Sequence, residues 1–157
     1  MGVEVQNPNP LSAFQSNAAA PKLTRKTLAL TGANNLGELD APTISLFTVT
    51  GHVLVVVLAP FCTEDLVSAG GGTLELGVTG NTTAMIAATT ATDIDSGDVW
   101  ADATPAVGAE SLPAALGPIL VSANIIATVA TADITDGTIE FDCLWIPMSA
   151  GASLVAA

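Results

Sequence analysis

The residues best suited to chemistry are carboxylates in a short loop, where Asp93 and Asp95 have the alternate spacing of calcium ligands. A twelve-residue calcium loop also requires glycine at its sixth place and glutamate at its twelfth. Those places hold Asp98 and Thr104. The pattern Asp-Ile-x-x-Gly-x-Val/Ile recurs from Asp133, where threonine replaces the second ligand. We therefore interpret both segments as solvated turns whose glycines supply a positive φ, without a bound metal.

Other residue types that support catalysis lack partners in the sequence. His52 is the only histidine, and no motif places serine or cysteine beside it. The triplet at 70–72 is glycine-rich, but neither a lysine nor a helix start follows it to hold a phosphate. The sequence predicts no catalytic residue, no cofactor and no metal, and we expect that the protein is not an enzyme.

The two cysteines, Cys62 and Cys143, are far apart and show no Cys-x-x-Cys spacing. Two interpretations are open: a pair of buried thiols, which we favour, and a single disulfide. Buried thiols fit folding in a reducing cytoplasm.

Charge divides the chain into two unequal parts. All three basic residues, Lys22, Arg25 and Lys26, fall within five positions, and the formal net charge of the whole chain is −12. An anionic body repels nucleic acid and anionic lipid, so we expect neither as a partner. The longest apolar run, 53–62, is half the length of about twenty residues that a membrane-spanning helix needs.

Short segments rich in valine, isoleucine, threonine and alanine alternate with turn residues, which predicts strands. The predicted strands are 26–31, 43–50, 52–58, 73–79, 84–89, 99–100, 119–122, 125–131 and 138–146. This series is typical of an all-β fold, an antiparallel β-sandwich resembling a jelly roll. We expect an extended N-terminal arm over 1–26, a sandwich domain over 27–157, and at most a short helix at 64–69 or 111–116.

Some strands carry apolar residues that we expect at a partner interface. In 52–58 the valines 53, 55 and 57 should face one way and Leu54, Val56 and Leu58 the other, so a second layer or another subunit must cover the outer side. Trp100 and Trp145 are interpreted as core or interface anchors. The basic cluster should lie against carboxylates of an adjacent subunit or a shell, in a contact weakened by salt. The candidate partner-binding residues are Lys22, Arg25, Lys26, Val53, Val55, Val57, Trp100 and Trp145.

Four sequence motifs follow one another along the last two thirds of the chain. They are Leu46-Phe-Thr-Val-Thr-Gly51-x-Val-x-Val; Leu74-Glu-Leu-Gly77-Val-Thr-Gly80-Asn81-Thr; Ala91-Thr-Asp93-Ile-Asp-Ser-Gly97-Asp-Val-Trp100 with Asp102-Ala-Thr-Pro105; and Ile139-Glu-Phe-Asp-Cys-Leu-Trp145-Ile-Pro147-Met-Ser149-Ala150. In order and spacing they resemble small structural proteins of tailed bacteriophages and prophages. The resemblance implies a virion component and identifies no catalytic residues.

From this resemblance we expect a capsid decoration or cement protein that binds the outside of a phage head and stabilises it through subunit contacts. Its partners would be the major capsid protein and further copies of itself in a homotrimer. It would be assembled in the host cytoplasm and located on the capsid surface of the virion. Three alternatives stay open: a tail component, a carbohydrate-binding head fibre or adhesin, and a carboxylate-dependent hydrolase.

Overall fold

The computed structural model describes residues 20–157, which form a β-sandwich of eleven strands and two short 3₁₀ helices. The strands are β1 (Lys22–Ala29), β2 (Thr43–Thr50), β3 (Val53–Val67), β4 (Thr73–Val78), β5 (Asn81–Thr90), β6 (Asp98–Val99), β7 (Ala106–Val107), β8 (Ile119–Val121), β9 (Ile125–Ala130), β10 (Asp136–Pro147) and β11 (Ser153–Ala156). The 3₁₀ helices are Ala91–Asp93 and Ala114–Leu116. In this part of the chain no helix is long and apolar enough to cross a membrane.

The strands form two antiparallel sheets. Sheet I has the order β1-β10-β3-β6-β7, with β8 also paired to β3, and sheet II has the order β11-β2-β9-β4-β5. Early strands pair with late strands in reverse order: β1 with β10, β2 with β9, β3 with β8 and β6, and β4 with β5. This wrapped arrangement is a jelly roll, so the predicted fold class is confirmed.

The core lies between the inner faces of the two sheets. Strand β10 supplies the alternating buried residues Ile139, Phe141, Cys143 and Trp145, as expected for a strand with one face toward the core. Trp100 is fully buried beside Phe141, with ring centroids 6.5 Å apart at an interplanar angle of 73°. Such an edge-to-face contact adds to the hydrophobic gain from burying both rings.

Strand β3 changes face at a β-bulge. Trp145 pairs with Val55 and Leu144 pairs with Val57, so Val56 is an extra residue on β3. The bulge inverts the alternation that follows it. Val53 and Val55 are completely buried, whereas the next fully buried residue is Leu58 rather than Val57. The prediction that 53, 55 and 57 share a face is therefore wrong for Val57.

The repeated Asp-Ile-x-x-Gly pattern forms two similar corners beside the end of β3. Gly97 and Gly137 have φ values of 94° and 115°, which confirms the predicted positive φ. The isoleucines of the pattern, Ile94 and Ile134, are both fully buried. Each corner is therefore anchored in the core by its isoleucine. Asp93, Asp95 and Asp133 remain exposed, whereas Asp98 is buried and accepts a hydrogen bond from Asp95 N at 3.0 Å.

The short helices and the N-terminal arm differ in part from what we predicted from the sequence. β3 extends to Val67, so the helix considered at 64–69 is absent, while Ala114–Leu116 forms a 3₁₀ helix within the other predicted segment. Residues 1–19 of the predicted arm lie outside the described residues. Its last positions, 22–26, belong to β1, which pairs with β10 over eight residues. The basic cluster is thus part of sheet I.

Candidate partner interface

One end of the sandwich is formed by loops without aspartate, glutamate, lysine or arginine. These loops are 51–52, 79–80, 122–124 and 148–152. Backbone contacts hold them together: Met148 N donates to the His52 carbonyl at 2.9 Å, and Thr79 N donates to the Asn124 carbonyl at 2.9 Å. The Asn124 side chain also accepts from Val49 N at 3.0 Å. We call these four loops the carboxylate-free end.

The opposite end, which we call the acidic end, collects carboxylates. Its loops are 30–42, 68–72, 91–97 and 131–135, and they contain Glu38, Asp40, Asp93, Asp95 and Asp133. Asp133 accepts a hydrogen bond from Leu39 N at 2.7 Å, which ties two of these loops together. Among residues 20–157 no group of three or more potential ligands is arranged to hold a metal ion.

An apolar face covers the outer side of sheet I next to the carboxylate-free end. Two register rows build it: Leu23 opposite Leu144 opposite Val57, and Ile146 opposite Leu54 opposite Leu120. Residues directly opposite on neighbouring strands lie close enough to form one continuous surface. Leu23 is 54% exposed and Leu120 is 63% exposed, while the other four are half-buried. We call these six residues the apolar face.

Only one of the three basic residues, Arg25, borders the apolar face, and each of the three has a contact within the chain. Arg25 lies on the outer side of β1 and forms an ion pair with Asp142 at 2.8 Å. Lys22 and Lys26 lie on the other side of β1, where Lys22 Nζ sits 5.1 Å from the Trp145 ring centroid and Lys26 donates to the Ala157 carbonyl. Because the Arg25–Asp142 pair is exposed, its contribution to stability is small, about 0–1 kcal/mol.

Beside this ion pair lies a shallow depression of about 260 Å³, lined by Arg25, Lys26, Thr27, Glu140 and Asp142. Its two cations and two carboxylates neutralise one another. It lacks the apolar walls that small-molecule sites usually have.

The structure separates the predicted partner-binding residues into two groups. Val53, Val55 and Trp100 are completely buried and Trp145 is 3% exposed, so as folded their side chains present almost no surface to a partner. Trp100 Nε1 donates to Thr89 Oγ1 at 2.9 Å, which satisfies the indole inside the core. Val57 lies in the apolar face. Arg25 lies at its border, and Lys22 and Lys26 lie on the other side of β1.

Sequence reasoning missed most of the apolar face. The useful signal was the outer face of β10, where Glu140 and Asp142 are followed by Leu144 and Ile146 at the same period of two. A change from charged to apolar on an outward face marks a surface that another molecule covers. The remaining members come from β1, β3 and β8, and only the register of sheet I brings them beside β10.

Hydrogen bonds from the Thr104 hydroxyl and backbone N–H lower the pKa of Asp102. Three further groups, also outside the apolar face, have raised pKa values. Cys62 and Cys143 are free and buried, as favoured from the sequence, and desolvation raises their pKa values to about 11 and about 12. Desolvation, with help from the charge of Asp102, raises the pKa of Glu110, whose Oε2 is buried without a hydrogen-bond partner. None of the three has a neighbouring base or cation suited to activating it.

No protein-family model, no curated protein and no solved structure matches this chain.

Proposed function

We propose that this protein is a capsid decoration protein that binds the outside of a phage head as a homo-oligomer, with a trimer as the expected state. The observation that carries the proposal is the segregation of charge. One end of the jelly roll and the adjoining apolar face are built from segments without a carboxylate, and the carboxylates collect elsewhere. A protein that works by contact area needs such a surface.

The segregation also gives the direction of attachment. Burying a carboxylate against a partner requires its desolvation, which is costly unless a cation pairs with it. The carboxylate-free end can meet a shell without that cost, whereas the acidic end favours solvent. We therefore propose that the carboxylate-free end contacts the major capsid protein and that the acidic end points outward from the virion.

The fold and the sequence resemblance support the same assignment. Jelly rolls occur in viral capsid proteins and also in lectins, so the fold alone does not select a function. The four sequence motifs, whose order and spacing resemble those of phage structural proteins, favour the virion role. A lectin site usually offers exposed aromatic rings, and in the described part of the chain both tryptophans are buried, leaving Phe61 as the large aromatic side chain exposed by 43%.

The proposal is tested by attachment to heads assembled without this protein. Met148, 55% exposed in the carboxylate-free end, is changed to glutamate, and we expect at least ~10-fold weaker co-sedimentation with heads because a carboxylate is placed in the contact. The matched control is Leu39→Glu, since Leu39 is 42% exposed at the acidic end. This control should attach like the unmodified protein.

Near-ultraviolet circular dichroism of the buried tryptophans checks that both variants are folded. Equal attachment of Met148→Glu and unmodified protein would exclude the carboxylate-free end as the contact. Failure of the unmodified protein to bind heads would refute the head assignment. Binding to purified tails instead would support the tail alternative.

A further inference from the structure

We infer that the apolar face is covered by a second copy of this chain in the homo-oligomer, and not by the shell. The inference rests on the proposed structural function and assigns a specific partner to one of its surfaces. Six aliphatic side chains in two adjacent register rows form a continuous patch, with Leu23 and Leu120 more than half exposed at its two sides. Patches of this kind on the outside of a soluble domain mark interaction sites.

Electrostatics limits where two copies can meet. Each copy carries a formal net charge of −12, so most surfaces of one copy repel those of another. The segments that supply the apolar face are the exception. Residues 20–37, 41–63, 111–132 and 143–157 contain no aspartate or glutamate. Two copies that meet through this face therefore bury aliphatic side chains without bringing their carboxylates together.

The border of the face carries both signs of charge. Arg25 and Asp142 are cross-strand neighbours, directly beside the row formed by Leu23 and Leu144. A copy of the same surface offers a carboxylate to Arg25 and a guanidinium to Asp142. In a closed trimer, Arg25 of one copy can meet Asp142 of the next and its Asp142 can meet Arg25 of the third, whereas a shell would have to present both charges separately.

The inference is tested with purified protein in the absence of any shell, by sedimentation velocity at micromolar concentration. We expect a mass near three times the 15.6 kDa of one chain. Leu120→Glu should sediment as a monomer, because it places a carboxylate within the contact. Its control is Val107→Glu. Val107 is 76% exposed on β7, which is the edge strand opposite β1 in sheet I and lies outside the apolar face. This control should remain an oligomer.

Leu23→Glu provides a second variant on a different strand, so that the result does not depend on the folding of one protein. Monomeric behaviour of the unmodified protein would overturn the inference. So would an oligomer that persists in both Leu120→Glu and Leu23→Glu.

The two proposals fail in different ways. Loss of head binding by the unmodified protein, with its oligomer intact, refutes the decoration function and leaves the self-association standing. A monomer that still binds heads refutes the self-association and leaves the decoration function standing.

Discussion

At the scale of single residues, burial in the core accounts for some side chains that we predicted from the sequence to be partner contacts. Trp100 is enclosed by Phe141 and donates its indole hydrogen bond to Thr89, so both its apolar ring and its polar atom are satisfied within the chain. A tryptophan placed in this way stabilises the fold through burial. Its position directly after the short strand β6, near the acidic loops, therefore carries no information about a partner.

The two thiols give a prediction about reactivity. Cys62 and Cys143 are fully buried, and desolvation raises their pKa values to about 11 and about 12. We expect no reaction of either thiol with an aromatic disulfide reagent at neutral pH in the native protein, and reaction of both after unfolding in guanidinium. Rapid labelling of the native protein would contradict their burial.

Because of these raised thiol pKa values, the free energy of unfolding should vary with pH in the alkaline range. A folded-state pKa raised above its ordinary value of 9.0 gives a contribution to stability that is fully present below pH 9 and is lost as the pH rises through the folded-state pKa. Stability should therefore fall between pH 9 and about 11, and less steeply in Cys143→Ala than in the unmodified protein. Urea unfolding at several pH values measures this difference.

At the scale of elements, the structure changes the expected role of the basic segment. Residues 22–26 are five of the eight residues through which β1 pairs with β10. Thr24 Oγ1 in addition accepts from Trp145 Nε1 at 2.9 Å and donates to the Leu154 carbonyl at 3.2 Å. β1 therefore closes the edge of sheet I over the core and links it to β11 of sheet II.

A pair of truncations tests this role. Relative to a variant that lacks residues 1–19, a variant that lacks residues 1–26 should unfold at a temperature lower by about 10 °C or more, because several cross-strand contacts and the cover of Trp145 are lost. Calorimetric or circular-dichroism melting curves provide the measurement. Equal melting temperatures would show that β1 contributes little to the sandwich.

Most strands could be predicted because their apolar and polar residues alternate or because turn residues mark their ends. β2 occurs at the predicted positions 43–50, and β10 differs from 138–146 only at its ends. β3 was predicted to end at 58, two residues before Pro60. The strand continues there, since the Pro60 carbonyl still accepts from Trp100 N at 3.2 Å. β11 was missed because its four residues are too few to show a period.

The apolar face could not be predicted because its members are distant in sequence. Leu23, Leu54 and Leu120 become neighbours only through strand pairing and the bulge at Val56. A one-residue bulge changes which side chains face outward, and local sequence does not fix where the bulge falls. Fold class depends on local periodicity, whereas this surface depends on long-range register.

At the scale of the whole molecule, the effect of salt on association distinguishes an apolar contact between copies from an ionic one. If copies associate through the apolar face, added salt should strengthen association, because it screens repulsion between chains of net charge −12 while leaving the apolar contact intact. A contact made by Lys22, Arg25 and Lys26 with a neighbour's carboxylates would instead weaken. Sedimentation at low and high ionic strength tells the two apart, and dissociation at high salt would contradict association through the apolar face.

The separation of the acidic end from the carboxylate-free end also gives the molecule an electric dipole moment directed roughly along its strands. In the field of an anionic surface the acidic end is pushed away and the other end turns inward, before any atoms touch. If the proposed shell surface is anionic, long-range forces would therefore favour the orientation in which the carboxylate-free end makes contact, and short-range packing would then retain it.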